Sequence, residues 1–152
     1  MKHTILFILL VLVGICPLVA QNAPGIKADN IVGTYTGRQN NDRFKVRVSR
    51  QDDGTYKAQV FWVENDRDKD GNKILDSKNP DKSLRNIPCD RIVLFSGLRY
   101  NAKDRCWDGT KVYDPQRGIR AKMKAWFAND GRLCIKGTLL GISETVYWQP
   151  LP

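Results

Sequence analysis

Residues 119–127 read Ile-Arg-Ala-Lys-Met-Lys-Ala-Trp-Phe, and this run decides how the rest of the chain is read. Ile119, Ala121, Met123, Ala125 and Phe127 alternate with Arg120, Lys122, Lys124 and Trp126. A period of two puts the apolar set on one face of an extended strand; a helix would scatter it. The pattern recurs on both sides of this run. Phe44, Val46 and Val48 alternate with Lys45, Arg47 and Ser49. Tyr56, Ala58, Val60 and Trp62 alternate with Lys57, Gln59 and Phe61. Leu133, Ile135, Gly137 and Leu139 alternate with Cys134, Lys136 and Thr138. Further strands fit residues 31–36, 91–98, 107–113 and 145–148, which makes about eight.

Turn signals separate these runs at hairpin spacing. They are Asp52-Asp53-Gly54, residues 101–104, Asp114-Pro115-Gln116-Arg117-Gly118 and Asn129-Asp130-Gly131. No stretch carries a convincing 3.6-residue period. Residues 64–88 form the one long connection, with room for a helical turn near 82–86. A connection of that length is usually functional or mobile. The expectation is an all-β, up-and-down antiparallel barrel of about eight strands, because closure hides the edge strands. Its inward set mixes large residues (Tyr56, Trp62, Met123, Phe127) with small ones (Gly33, Ala58, Ala121, Ala125, Gly137). Such a mixture either fills the barrel or leaves room for one small ligand.

The N-terminus is read separately. Met1-Lys2-His3 is followed by an apolar run over residues 5–15, then Pro17 and Leu18-Val19-Ala20. This is the layout of a signal peptide cleaved after Ala20, leaving Gln21 as the mature start. A membrane anchor is disfavoured, since residues 5–20 are short for a span and broken by Gly14 and Pro17. A lipoprotein at Cys16 is the narrower alternative, with Ile15 standing where processing wants a small residue. The expected organisation is a signal peptide at 1–20, a flexible segment at 21–29 and one barrel domain at 30–152. The product is then periplasmic or secreted, with no transmembrane segment left after cleavage.

The chain has 25 Lys and Arg, 16 Asp and Glu and one His; without residues 1–20 its net charge is +8. Outward lysines on the strands account for most of this as a solvated surface. The balance also suits an anionic partner such as an envelope surface, for which Lys45, Arg47, Lys122, Lys124 and Lys136 are the candidate basic face. Nucleic acid is not an expected partner, and oligomeric state is not legible.

Several stretches together resemble the bacterial exported family called domain of unknown function 2147. They are Ile31-Val32-Gly33-Thr34-Tyr35, Gly54-Thr55-Tyr56 leading to Phe61-Trp62, and Asn79-Pro80-Asp81 with Leu84-Arg85 and Pro88. Later come Trp107-Asp108-Gly109, Tyr113-Asp114-Pro115 with Gly118, and Leu133 to Gly137 running on to Trp148. The resemblance implies a lipocalin-like barrel and export, and it carries no established activity. One position departs: Tyr35 stands where the family more often has Trp, so a tyrosine is expected to fill part of the barrel floor.

The only histidine, His3, leaves with the signal peptide. A Ser-His or Cys-His nucleophile pair and a His-ligated metal centre are then excluded. Just two glutamates exist, Glu64 and Glu144, and the fourteen aspartates sit mostly in turns. The expectation is a non-enzyme, the alternative being a histidine-free hydrolase that uses carboxylates. Asp66-x-Asp68-x-Asp70-Gly71 resembles the opening of a calcium loop, but its twelfth position is Ser77 and Arg67, Lys69 and Lys73 oppose the charge. No metal and no cofactor is expected.

The candidate ligand-binding residues are Tyr56, Trp62, Asn79, Asp81, Arg85, Trp107, Tyr113 and Asp114. Asn79-Pro80-Asp81 with Arg85 reads first as a clamp pinning the long loop. Its functional reading aims Arg85 at an anionic group at the barrel mouth. Trp62 and Trp148 are expected in the core, while Trp107 is either core or pocket. Trp126 stands on the basic face, as a cross-strand packing partner or a stacking platform. Cys106 and Cys134 fall on outward positions with a strand between them, so no disulfide is expected. The leading function is capture of a small apolar or amphiphilic molecule in the barrel; the alternative is a scaffold docking its basic face on the envelope.

Overall fold

The computed structural model describes residues 27–152. Nine antiparallel strands follow in chain order: β1 (Gly33–Gln39), β2 (Asp42–Arg50), β3 (Tyr56–Val63), β4 (Val93–Asn101), β5 (Cys106–Asp108), β6 (Lys111–Asp114), β7 (Ile119–Phe127), β8 (Leu133–Leu139) and β9 (Ile142–Pro150). Their order across the sheet is β5-β4-β3-β2-β1-β9-β8-β7-β6. β1 and β9 meet through Tyr35 opposite Pro150 and Thr36 opposite Gln149. β5 pairs with β7 through Trp107 opposite Ala125, which closes the ring. The result is the expected up-and-down barrel of eight strands, lipocalin-like in form, with β6 as an extra strand along β7. The single strand expected over 107–113 is broken. Gly109 has φ +86°, and the chain steps between β5 and β6 while both stay on β7.

One end of the barrel is closed by a 3-10 turn, Ala28–Ile31. Three ring groups reach it. Tyr35 Oη donates to Ile31 O at 2.8 Å, Tyr56 Oη to Asp29 Oδ1 at 2.7 Å, and Trp107 Nε1 to Ala28 O at 3.0 Å. Buried ring donors need such partners, and here three strands satisfy theirs on one short segment. Ile31 itself is fully buried. The packed domain thus begins before residue 30, while the signal-peptide reading and residues 21–26 lie outside the described residues. Above this floor sit Val46, Val48, Ala58, Phe95, Leu98, Met123, Leu133 and Ile135, all buried. Each large apolar side chain there contributes roughly 1.5–3 kcal/mol to stability.

A bulge corrects the inward set. Lys45 faces Trp62 but Val46 faces Val60, so Phe61 is an extra residue in β3. One inserted residue reverses the alternation beyond it. Trp62 is therefore half-buried on the outer side, where Lys45 Nζ lies 5.0 Å from its ring centroid. The expectation that Trp62 joins the core is overturned. Trp148 does join it, stacked on Phe95 at 6.3 Å.

The two outward cysteines keep that side of the sheet but are covered there: Cys106 and Cys134 are each only 1% exposed. Cys134 pairs across the sheet with Trp126 and Tyr147, whose rings are large enough to shield it. The register of β5 on β7 brings Cys106 to the other side of Trp126. Strand β7 does lie between these cysteines, and Cys89, Cys106 and Cys134 are all free thiols. Among the described residues no helix is long and apolar enough to cross a membrane.

Candidate functional site

The end of the barrel opposite the floor is hollow. Strand direction brings three tight turns there: β1 to β2, β6 to β7 and β8 to β9. Inside them lies a cavity of about 520 Å³. Leu94, Val112, Ala121, Ile135, Val146 and Trp148 form its apolar wall. Small residues make the room. Gly137 adds no side chain, and a Cβ placed on it would press Ala121 Cβ at 3.1 Å. Gly37 carries none either, so the rings of Phe44 and Trp148 meet edge to face over β1, their centroids 6.0 Å apart. A largely apolar wall with polar groups toward the rim suits a small-molecule site.

The polar groups gather at the rim. Arg117 Nη1 donates to Glu144 Oε2 at 2.6 Å, and its Nε lies 3.6 Å from Asp114 Oδ2. Arg38 also lines the cavity, and its charge acts on Glu64 at the edge of the same rim. A second cavity of about 300 Å³ lies beside the first, beneath the long loop, with Val60, Val63, Ile74, Leu75 and Ile92 in its wall. Gln39, Phe44, Leu94, Pro115 and Gln116 border both. Two hydrogen bonds cross the rim beside this border. Gln39 Nε2 donates to Asp114 Oδ1 at 2.8 Å, and Asn40 Nδ2 to Gln116 Oε1 at 2.5 Å.

The long loop is folded onto the outside of β6. Asp76, 4% exposed, accepts from Tyr113 Oη at 2.6 Å and from Asn79 Nδ2 at 2.7 Å. Asp81 N in turn donates to Asn79 Oδ1, and the Asp81 carboxylate caps Ser83 N of the 3-10 turn Lys82–Leu84. Arg85 Nε donates to Asn79 O at 2.8 Å and does not pair with Asp81. Asn79, Asp81 and Arg85 therefore act as the clamp, and none of them lines either cavity. The Asp66 loop is equally self-contained: Asp68 Oδ1 accepts from Asp70 N and Asn72 N, while Asp66 and Asp90 both hold Lys73 Nζ. Among the described residues no group of three or more His, Cys, Asp or Glu is placed to hold a metal ion.

Of the eight expected ligand residues, Tyr113 and Asp114 border the large cavity. Tyr56 and Trp107 anchor the floor, and Trp62 is on the outer wall. The residues that sequence reasoning missed are Phe44, Leu94, Val112, Ile135 and Val146 on the wall and Arg38 and Arg117 on the rim. The wall residues stand at inward positions of the alternation, but nothing in it says which half of the barrel stays empty.

The five basic residues do not form one face. Four strand steps separate β2, which carries Lys45 and Arg47, from β7 either way round the ring, so the two groups are on opposite sides. Arg47 covers Phe61 as Lys45 covers Trp62. Lys124 and Lys136 do face each other across β7 and β8, with Lys122 opposite Lys111 on the other side.

A family model described as an uncharacterized protein conserved in bacteria, DUF2147, matches residues 33–149. Among solved structures, protein HP1028 from Helicobacter pylori, described as belonging to the lipocalin family, aligns with a TM-score of 0.63. The two share 23% identity, and the alignment covers 80% of this chain and 83% of that one, a likeness of fold. No curated protein matches the sequence.

Proposed function

We propose that this chain, which belongs to the DUF2147 family, holds a small apolar or amphiphilic molecule in the open half of its barrel. The observation that carries this reading is the cavity of about 520 Å³ walled by Leu94, Val112, Ala121, Ile135, Val146 and Trp148. A well-packed interior rarely keeps a void much larger than a water molecule, so a hollow of this size is a built feature. The apolar wall takes the body of the ligand, and Arg38 stands at the rim to meet a polar or anionic head.

A binding role is favoured over hydrolysis. The two rim carboxylates, Asp114 and Glu144, are both engaged by Arg117 as ion-pair partners. Export to the periplasm or beyond fits a carrier of this kind, and rests on the leader read at residues 1–20.

The test is a fluorescence titration of the purified protein with dansyl-labelled undecanoic acid, an amphiphile with an apolar tail. Wild type is expected to bind at one saturable site. Val146→Trp fills the mouth from a position already 41% exposed, so the fold tolerates it while binding is lost. Equal binding by wild type and Val146→Trp would place the probe elsewhere and overturn the reading.

A further inference from the structure

The β8 to β9 turn is built against local preference. Leu139 pairs with Ile142, so Leu140-Gly141 is a two-residue hairpin loop, with φ +50° and +80°. Both central residues of such a turn need positive φ, which suits Asn-Gly and disfavours leucine. At the same rim the β1 to β2 turn puts an asparagine, Asn40, at its positive-φ position, φ +53°. Leu140 gains nothing from packing in exchange, since it is 93% exposed, with Ile142 beside it at 77%. Leu139 is 39% exposed on the cavity wall. Three apolar side chains thus project at the end of the barrel where the cavity opens.

We infer that this hairpin tip dips into a lipid surface, seating the cavity mouth against the bilayer so that an amphiphile passes between the two without crossing water. The inference rests on the cavity reading above for its cargo, and on the tip for its docking. Two observations select lipid over a protein partner. The tip is convex and offers three side chains, whereas a stable protein interface buries about 800 Å² and 20–30 residues on each side. Leu139 and Ile142 of the tip also line the same cavity as Val146, with the Glu144–Arg117 pair between them. A protein seated there would stopper the mouth, while a bilayer presents the same apolar medium that lines the hollow. Arg38 stands at the same rim, where a long basic side chain can reach headgroup phosphates as leucines enter the acyl boundary.

Flotation with vesicles of equal parts phosphatidylcholine and phosphatidylglycerol tests the docking without any ligand. Wild type is expected to float. Leu140→Asn, which suits the turn, is expected to keep its thermal midpoint and lose about tenfold in the bound fraction. Ile142→Thr serves as a second variant of the same face and is expected to lose binding as well. Unbound wild type, or variants that float as well as wild type, overturn the inference. So does a concentration-dependent dimer that Leu140→Asn dissolves, which would assign the tip to a second copy. A parallel arm follows release of dansyl-labelled undecanoic acid to vesicles. A rate that rises with vesicle concentration supports direct passage; a rate independent of it overturns it. Protein that binds the probe yet stays off vesicles refutes the docking alone. Protein that floats through Leu140 but takes no probe refutes the cavity reading alone.

Discussion

Tyr113 on the outer side of β6 donates its phenol proton to Asp76, a carboxylate 37 residues away in the long loop, across 2.6 Å. The pair joins the longest connection in the fold to the wall of its cavity. Asp76 is buried, so its oxygens depend on Tyr113 and Asn79 for the hydrogen bonds that water would otherwise supply.

Tyr113→Phe removes one of those donors and leaves a buried carboxylate oxygen unpaired. The expected loss of stability is about 1–3 kcal/mol in denaturant unfolding. Hydrogen exchange should quicken over residues 74–90 before it does in β7 or β8. Unchanged exchange in the loop would contradict the clamp.

Gly118 has φ +65°, and a Cβ there would collide with the carbonyl oxygen of Lys78. Gly118→Ala therefore meets an unfavourable backbone and the long loop at once. About 1–3 kcal/mol of destabilisation is expected, together with faster proteolysis near Lys78. A variant as stable and as protease-resistant as wild type would refute the close approach.

The hydrogen bonds from Arg43 hold the Glu64 carboxyl down from 4.5 to about 2. A group depressed in the folded state stabilises it fully above its unfolded value and loses that effect as pH falls. Stability should therefore decline from about pH 4.5 toward pH 2 by an increment that Glu64→Gln abolishes. At the other end, burial raises Tyr35 and Tyr56 from 10.0 to about 12, and Tyr113 is pushed up as well. For these acids the neutral form is favoured by folding, so their contribution is full below pH 10 and lost as pH climbs through 12. Alkaline titration followed by tyrosinate absorbance and circular dichroism should show the three ionising together with unfolding. Ionisation near pH 10 in folded protein would contradict their placement.

Burial raises the thiols of Cys89, Cys106 and Cys134 above their ordinary value, and Cys106 and Cys134 are the better covered. A thiol reagent added to folded protein near neutral pH should label Cys89 first, since reaction needs an exposed thiolate. Rapid labelling of Cys134 would mean that Trp126 and Tyr147 do not shield it.

The barrel was legible because one side chain in two had to be apolar along Ile119–Phe127 and its neighbours. The turn signals at Asp53-Gly54 and Asp130-Gly131 then set hairpin lengths. Two local departures escaped that reading. Phe61 is an extra residue that pairing alone reveals, and it turned Trp62 outward. Gly109 breaks a strand whose composition is continuous. The candidate site was harder. Asn79, Asp81 and Arg85 attract attention because turns and caps use the same polar residues that ligands do. The actual wall is made of Leu94, Val112, Ile135 and Val146, which look like any core residues. Whether such residues touch one another or face a void depends on volumes summed across strands far apart in sequence, as where Gly37 lets Phe44 and Trp148 meet.

The central claim is that the open half of the barrel holds a molecule, and native mass spectrometry of protein purified from its own host tests it most directly. Wild type is expected to carry one small molecule per chain, and Val146→Trp, prepared in the same way, none. Ligand-free wild type, or the same bound mass on both proteins, would contradict the account.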